Sequence, residues 1–222
     1  MIWIPSNKYF QEEFNASGTW YKPKRFPAVQ AYITVVNGGT GAGGGTTGLA
    51  RGGGASGRFL IFMALLSDDS YSIVIGSGGA GSTGANGDPG GESSFGTLYP
   101  GATLTIRYIH NYSLSTFAWC TIKSGLTGGA AGNVGTAMDI WSPIFGRIQN
   151  DGGASGGTNG GGGGGASLWG VGGAGGTYPN GNGGNGTKGA GGGGGARTTS
   201  GNSTGGNGGD GHVLITYWLP NF

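Results

Sequence analysis

Charged residues are scarce in this chain. Asp, Glu, Lys and Arg make up 9% of its 222 residues, against roughly 25% in an ordinary domain. With a formal net charge of +2, there is no electrostatic footprint for nucleic acid or for an anionic membrane surface. Cysteine occurs once, as Cys120, which excludes an intrachain disulfide. That residue and the two histidines, His110 and His212, cannot build a Cys/His zinc cluster. No stretch approaches the roughly 18 consecutive apolar residues of a membrane span. The opening MIWIPSNKYFQEEF lacks the basic and apolar regions of a secretory leader, so synthesis in a cytoplasm is expected. No segment reads as a long helix.

Glycine is present in excess. There are 59 glycines, and with 8 prolines they form about 30% of the chain. An interior glycine costs a helix roughly 1 kcal/mol relative to alanine, which excludes a helix bundle or coiled coil. No strict Gly-X-Y period runs through the sequence, which excludes collagen. Aromatic residues, at 11%, are too many for a soluble disordered tail.

Two kinds of segment alternate. The first is short, β-branched or aromatic, and bounded by Gly, Asn, Asp or Ser, the pattern of strands. Strands are expected at Val29–Val36, Arg58–Leu66, Tyr71–Ile75, Thr103–Ile109, Thr116–Lys123 and His212–Trp218. The last alternates, with Val213, Ile215 and Tyr217 on one face. A short strand at Met1–Ile4 is possible, and Met138–Gln149 can hold a further one, broken near Pro143. Arg58–Leu66 is ambiguous, because an apolar run alone does not separate a strand from a buried helix. Asp68-Asp69-Ser70 reads as a hairpin turn between the strands that flank it.

The second kind is glycine-dense, at 38–57, 76–91 and above all 152–211, where about half of the residues are glycine. Ordering each residue costs about 1–2 kcal/mol of backbone entropy, and the few large side chains of 152–211 cannot offset that by burial. Main-chain bonding between polyglycine II helices could. These have three residues per turn, no internal hydrogen bonds and outward-facing N–H and C=O groups. Without Cβ atoms they can approach closely enough for Cα–H···O contacts. The runs Gly160–Gly165 and Gly191–Gly195 suit such helices, and Tyr178-Pro179-Asn180-Gly181 suits a turn. The alternative is a set of irregular loops draped on a sheet.

The expected architecture is all-β, a small β-sandwich-like domain with a glycine-rich lobe of polyglycine II helices. Residues 1–151 form the β-rich domain, with glycine-rich loops at 38–57 and 76–91. Residues 152–211 form the lobe, and 212–222 the closing strand.

Catalytic signals are weak. Gly39-Thr40-Gly41-Ala42-Gly43-Gly44 fits a dinucleotide fingerprint in letters, but no helix follows it. His110 and His212 read as ordinary strand-end residues. Glu12-Glu13 and Asp68-Asp69 read as solvated acids or turns, and neither pair makes a persuasive glycosidase site. Cys120 reads as a small buried hydrophobe. The more informative feature is the larger side chains between glycine tracts: Leu168, Trp169, Val171, Tyr178, and the Arg197–Thr204 region. If the tracts run back and forth, these become end turns. An aromatic on a rigid turn offers contact area at low entropy cost, while Asn, Ser and Thr add adaptable hydrogen bonds. Equally, Trp169 and Tyr178 could fold back to close the ends.

Several segments occur in a telling order: Ser17-Gly18-Thr19-Trp20-Tyr21-Lys22-Pro23, YITVVNGGTGAGGG from Tyr32, YSIVIGSGGAG from Tyr71, GGESSFGTL from Gly90 and GGNGGDGHVLITYW from Gly205. Together they resemble the glycine-rich domains of bacteriophage tail-fibre and tail-tip proteins. The resemblance covers residues 17–98 and 152–218 and leaves 99–150 unassigned. The tracts are also similar to those of distal tail-fibre adhesins of T-even-like phages, whose glycine blocks form polyglycine II helices and whose intervening segments contact the receptor. By type of position, this resemblance implies a receptor-binding role for Trp169, Tyr178, Asn180, Arg197 and Thr198. It implies a virion tail protein, assembled in the host cytoplasm, whose partners are a bacterial surface receptor (protein or polysaccharide) and other virion proteins. A homo-oligomer such as a trimer is expected, without catalysis, cofactor, metal, nucleic-acid binding or membrane insertion. The alternatives are a structural virion component (capsid decoration or tail assembly), an ice-binding protein, or an enzyme that cleaves surface polysaccharide.

Overall fold

The computed structural model describes residues 7–98, 120–123, 126–142 and 146–220, and among these there is no α-helix. The chain is all-β, with strands β1 (Asn7–Phe14), β2 (Gly18–Tyr21), β3 (Val29–Val36), β4 (Phe59–Leu66), β5 (Ser70–Val74), β6 (Ser94–Phe95), β7 (Cys120–Lys123), β8 (Met138–Ser142), β9 (Gly146–Asn150) and β10 (His212–Pro220). An antiparallel sheet runs β1-β10-β3-β4-β7, a second runs β2-β5-β6, and β8 and β9 pair with each other. Strand β3 matches the expected bounds, and β4, β5 and β10 lie within two residues of theirs. The expected strand at Thr103–Ile109, the Met1–Ile4 strand, the first half of Thr116–Lys123, and His110 lie outside the described residues.

The two larger sheets face each other across one core. Ile33 and Val35 of β3, Leu60 and Phe62 of β4, and Val213, Ile215 and Tyr217 of β10 meet Trp20, Ile73 and Phe95 of the smaller sheet. The expected facing of β10 is therefore observed. Trp20 sits centrally, its ring edge-on to Tyr217 at 5.8 Å. The first half of strand β4, Phe59–Phe62, is buried on both faces, which accounts for its unbroken apolar run, whereas Leu65 near its end is exposed. Phe59 and Ile61 enter a second cluster with Val36, Met138, Ala166 and Leu168, against which Ile140 and Ile148 of the β8–β9 pair also pack.

Two sequence expectations are corrected here. Asp68-Asp69 does not close a hairpin: β4 and β5 belong to different sheets, and the turn carries the chain from one layer to the other. It is tied to the β2 end by the Lys22 amide, which donates to the Asp69 carbonyl at 3.0 Å. The buried Lys22 ammonium donates to the Phe26 carbonyl at 2.7 Å and lies 3.5 Å from the Asp69 carboxylate. Glu12 is not simply solvated. Its carboxylate accepts from Trp20 Nε1 at 3.1 Å and from the Tyr217 hydroxyl at 2.6 Å, which joins β1 to both layers of the sandwich. Burial and this carboxylate raise the Tyr217 phenol above its ordinary range.

The glycine-rich segments run outward from the sheets and back. From β3 the chain goes out along 38–45 and returns to β4 along 50–57. Residues 76–82 and 85–92 connect β5 to β6 in the same way, and 126–130 and 134–137 connect β7 to β8. Between β9 and β10 the chain makes the trip repeatedly, along 151–157, 160–166, 170–176, 181–187, 190–197 and 202–211.

The 190–197 segment lies at the centre of the bundle. The amides of Gly191 and Gly194 donate to Gly165 and Gly162, those of Gly192 and Gly195 to Thr40 and Gly43, and those of Gly193 and Ala196 to Gly184 and Gly181. Its carbonyls accept from three further segments: Gly191 and Gly194 from Gly173 and Gly176, Gly192 and Gly195 from Gly54 and Arg51, and Ala190 and Gly193 from Gly209 and Gly206. These bonds span 2.7 to 3.1 Å and repeat every third residue, as a threefold helix with outward polar groups requires. The glycine-rich stretches at 38–57 and 76–91, expected as loops of the β-domain, are thus helices of this one bundle, and 126–137 joins it as well. Their buried amides and carbonyls need partners, and a central polyglycine II helix needs neighbours on every side.

At the surface of the bundle, side chains replace the missing neighbours. Asn182 and Asn185 accept from the amides of Thr204 and Asn207 at 2.8 and 2.9 Å. Asn207 and Asp210 accept from those of Gly81 and Gly78 at 2.8 and 2.7 Å. Each pair is spaced by three residues, the period of the helix.

Candidate functional site

Because every glycine segment starts or ends at the sheets, its far turn falls at the opposite pole of the molecule. The turns at 46–49, 83–84, 131–133, 157–159, 177–180 and 198–201 form this distal end. The turn at 46–49 closes on itself by paired bonds between Thr46 and Leu49 at 2.8 and 3.2 Å. Asn159 and Asn180 adopt left-handed backbone, with φ of 64° and 66°, which asparagine tolerates better than most residues.

Arg197 connects these turns. Its amide donates to the Asn159 carbonyl at 2.9 Å, and its carbonyl accepts from the Asn180 amide at 3.2 Å. Its Nε donates to the Thr47 carbonyl at 3.2 Å. Thr198 is 2% exposed; its amide donates to the Thr46 carbonyl at 3.0 Å, and its hydroxyl to the Gly201 carbonyl at 2.7 Å. The Asn180 side chain accepts from the Thr199 amide at 2.8 Å. Tyr178, joined to Pro179 by a cis peptide bond, is 45% exposed, and Leu49 is 49% exposed.

Of the residues singled out from the sequence, Tyr178, Asn180, Arg197 and Thr198 therefore come together. Arg197 and Tyr178 face solvent, whereas Thr198 locks the turn from inside. Trp169 is elsewhere. It lies in the sheet-side turn after 160–166, packs against the second core cluster, and meets the His212 ring edge-on at 4.9 Å. His212 is buried, and its Nδ1 has no hydrogen-bond partner among the described residues. Burial pushes its pKa down to about 4, with the nearby Glu13 carboxylate opposing and Lys188 assisting. Glu13 itself titrates lower than usual, chiefly through its 2.6 Å bond with Lys188. This is the junction between sheet and bundle.

Thr47, Leu49 and Asn159 belong to the distal end but were not singled out from sequence. The available signal was turn chemistry between glycine tracts, Thr-Thr-Gly-Leu and Thr-Asn-Gly. What it could not supply is which turns meet. Among the described residues no group of three or more His, Cys, Asp and Glu could hold a metal ion, and no helix is long and apolar enough to cross a membrane.

The family model described as glycine-rich domain matches residues 15–218, and the chain belongs to that family. None of the curated proteins searched matches it.

Proposed function

We propose that this protein is a bacteriophage virion component, a tail-fibre or tail-tip adhesin that attaches to a receptor on the bacterial surface through its distal turns. One observation carries the reading. Turns far apart in sequence, at 46–49, 157–159, 177–180 and 198–201, are bonded into one end of a bundle whose backbone is fixed from within. Such turns meet a ligand already ordered, so little entropy is lost on binding. The order of glycine-rich motifs along the chain, which resembles that of phage tail proteins, supplies the biological setting. Contact comes from Tyr178, Asn180 and Arg197 with Leu49 and Thr47 beside them, and Trp169 belongs to the sheet-side pole. Binding rather than catalysis is the role, and several copies in a symmetric oligomer such as a trimer would add avidity.

The test is adsorption of the labelled full chain to a panel of bacterial strains. The expected result is strain-selective binding that a Leu49→Ala, Tyr178→Ala double variant weakens at least about tenfold, while Val171→Ala, on the flank of the bundle, leaves it unchanged. Adsorption that ignores the distal variant would overturn the reading in favour of a structural virion component, such as a capsid decoration or tail-assembly protein.

A further inference from the structure

The distal end carries charge of a single sign. Over the whole chain, basic and acidic residues are nearly balanced, 11 against 9. The distal turns and the residues flanking them contain Arg51 and Arg197 and no Asp or Glu. The acids of the glycine segments lie closer to the sheets. Asp151 and Asp210 adjoin β9 and β10, and Asp88 is bonded through its carbonyl to the amide of Gly41, within the length of the bundle.

Arg197 has donors to spare. It is exposed and is held at Nε by the Thr47 carbonyl. Its terminal Nη groups make no hydrogen bond among the described residues. The stem is thereby ordered and the planar fork left open, the geometry suited to a carboxylate or phosphate. Arg51, just past the 46–49 turn, is half-buried with its Nε shielded from solvent, so it contributes positive charge to the pole rather than an open fork. Around them stand the exposed Tyr178 ring and the hydroxyl and amide side chains of Thr47, Asn180 and Thr199.

We infer that the distal end binds an anionic saccharide, with the Arg197 fork on its carboxylate or phosphate group, Arg51 as a second cation and Tyr178 against the sugar ring. This inference rests on the distal end being the binding end and adds the chemistry of what it holds. Amides and hydroxyls fit sugar hydroxyl groups, an aromatic face fits sugar C–H groups, and two cations without a carboxylate nearby select against neutral polymers.

The experiment measures binding of the full chain to immobilised polygalacturonate, phosphomannan and neutral dextran. Binding is expected to at least one of the anionic polymers and not to dextran, to weaken with added salt, and to fall at least about tenfold in Arg197→Gln, with Arg197→Lys in between because it keeps charge without the fork. Which polymer is held identifies carboxylate or phosphate as the recognised group. Equal binding to dextran, no binding to either anionic polymer, or unchanged affinity in Arg197→Gln would overturn the inference. Should Arg197→Gln fail to fold, Arg51→Gln takes its place, since the Arg51 side chain makes no hydrogen bond among the described residues that the change would remove. Cells separate the two levels of the proposal. Adsorption that depends on the distal turns, survives periodate and is lost to protease keeps the adhesin reading and removes the saccharide. Adsorption indifferent to the distal turns removes the adhesin reading itself.

Discussion

Strand β4 and the 190–197 helix are both buried along most of their length, yet they are built from opposite materials. In β4, Phe59, Leu60, Ile61 and Phe62 are each 0% exposed and fill the cores on both faces of the sheet. In 190–197 the buried positions are glycine, with Ala190 and Ala196 at the ends, both 0% exposed. A buried large side chain in the sandwich contributes about 1.5–3 kcal/mol. A bundle residue offers a net hydrogen bond of about 0.5–1.5 kcal/mol and close Cα–H···O contacts of about 0.5–1 kcal/mol each, against about 1–2 kcal/mol of backbone entropy. Near balance per residue means that a lone glycine helix gains nothing; the arrangement holds only when neighbours surround it. The difference teaches that the sandwich tolerates no loss of volume and the bundle tolerates no gain.

The sharpest way to break this contrast is Gly162→Val. A Cβ there would collide with the carbonyls of Gly129 and Ala130, both main-chain groups that cannot rotate aside. A loss of more than about 4 kcal/mol is expected, read as collapse of the denaturation midpoint; a small shift would show the packing to be loose. The converse change in the sandwich, Phe62→Ala, should cost about 3–5 kcal/mol by leaving a cavity, measured by chemical denaturation.

Acid tests the junction between the two regions. The unfolded chain takes up a proton at His212 near 6.5, whereas the folded one holds it off until about 4. Stability from this group is therefore complete above the unfolded value and is lost as pH falls toward the folded one. The ceiling is roughly 3 kcal/mol. Melting temperature should drop between neutral pH and pH ~4.5 more steeply in the native protein than in His212→Phe; parallel slopes would place the acid sensitivity elsewhere.

Asn207→Ala removes the acceptor for the Gly81 amide and should cost about 1–2 kcal/mol, with faster exchange of that amide as the specific sign. The smallest effect is expected at Gly48, where an added Cβ meets nothing within 4 Å. Gly48→Ala should be neutral or stabilise by up to about 1 kcal/mol. A large loss there would mean that the distal turns are as tightly packed as the bundle interior.

Much of the sandwich is legible in the sequence. The β-branched runs of β3 and β10 announce strands, and alternation in β10 announces which side chains face the core. Strand β1 was not legible: NKYFQEEF carries three charges and becomes a strand because β10 offers it an edge along its whole length. Of the distal end, Tyr178, Asn180, Arg197 and Thr198 could be picked out as interruptions between glycine tracts. Their partners Thr47 and Asn159 could not, because main-chain bonds join them across long sequence separations and leave no mark in residue type. Trp169 looked like its neighbours in sequence and parted from them in space, because the 160–166 segment returns to the sheets where the 170–176 segment leaves them.

By itself, the sequence determined that this chain would be β-rich, that it could not be α-helical, and that its glycine tracts would have to be ordered by their own backbone, since composition and local pattern govern propensity and the supply of side chains. The tertiary structure alone decided that all the tracts form one bundle, that asparagines at every third residue close its flank, and that two arginines share a pole free of carboxylates. Those outcomes depend on which backbone groups meet across the chain, and a glycine carries no side chain to say which neighbour it will meet.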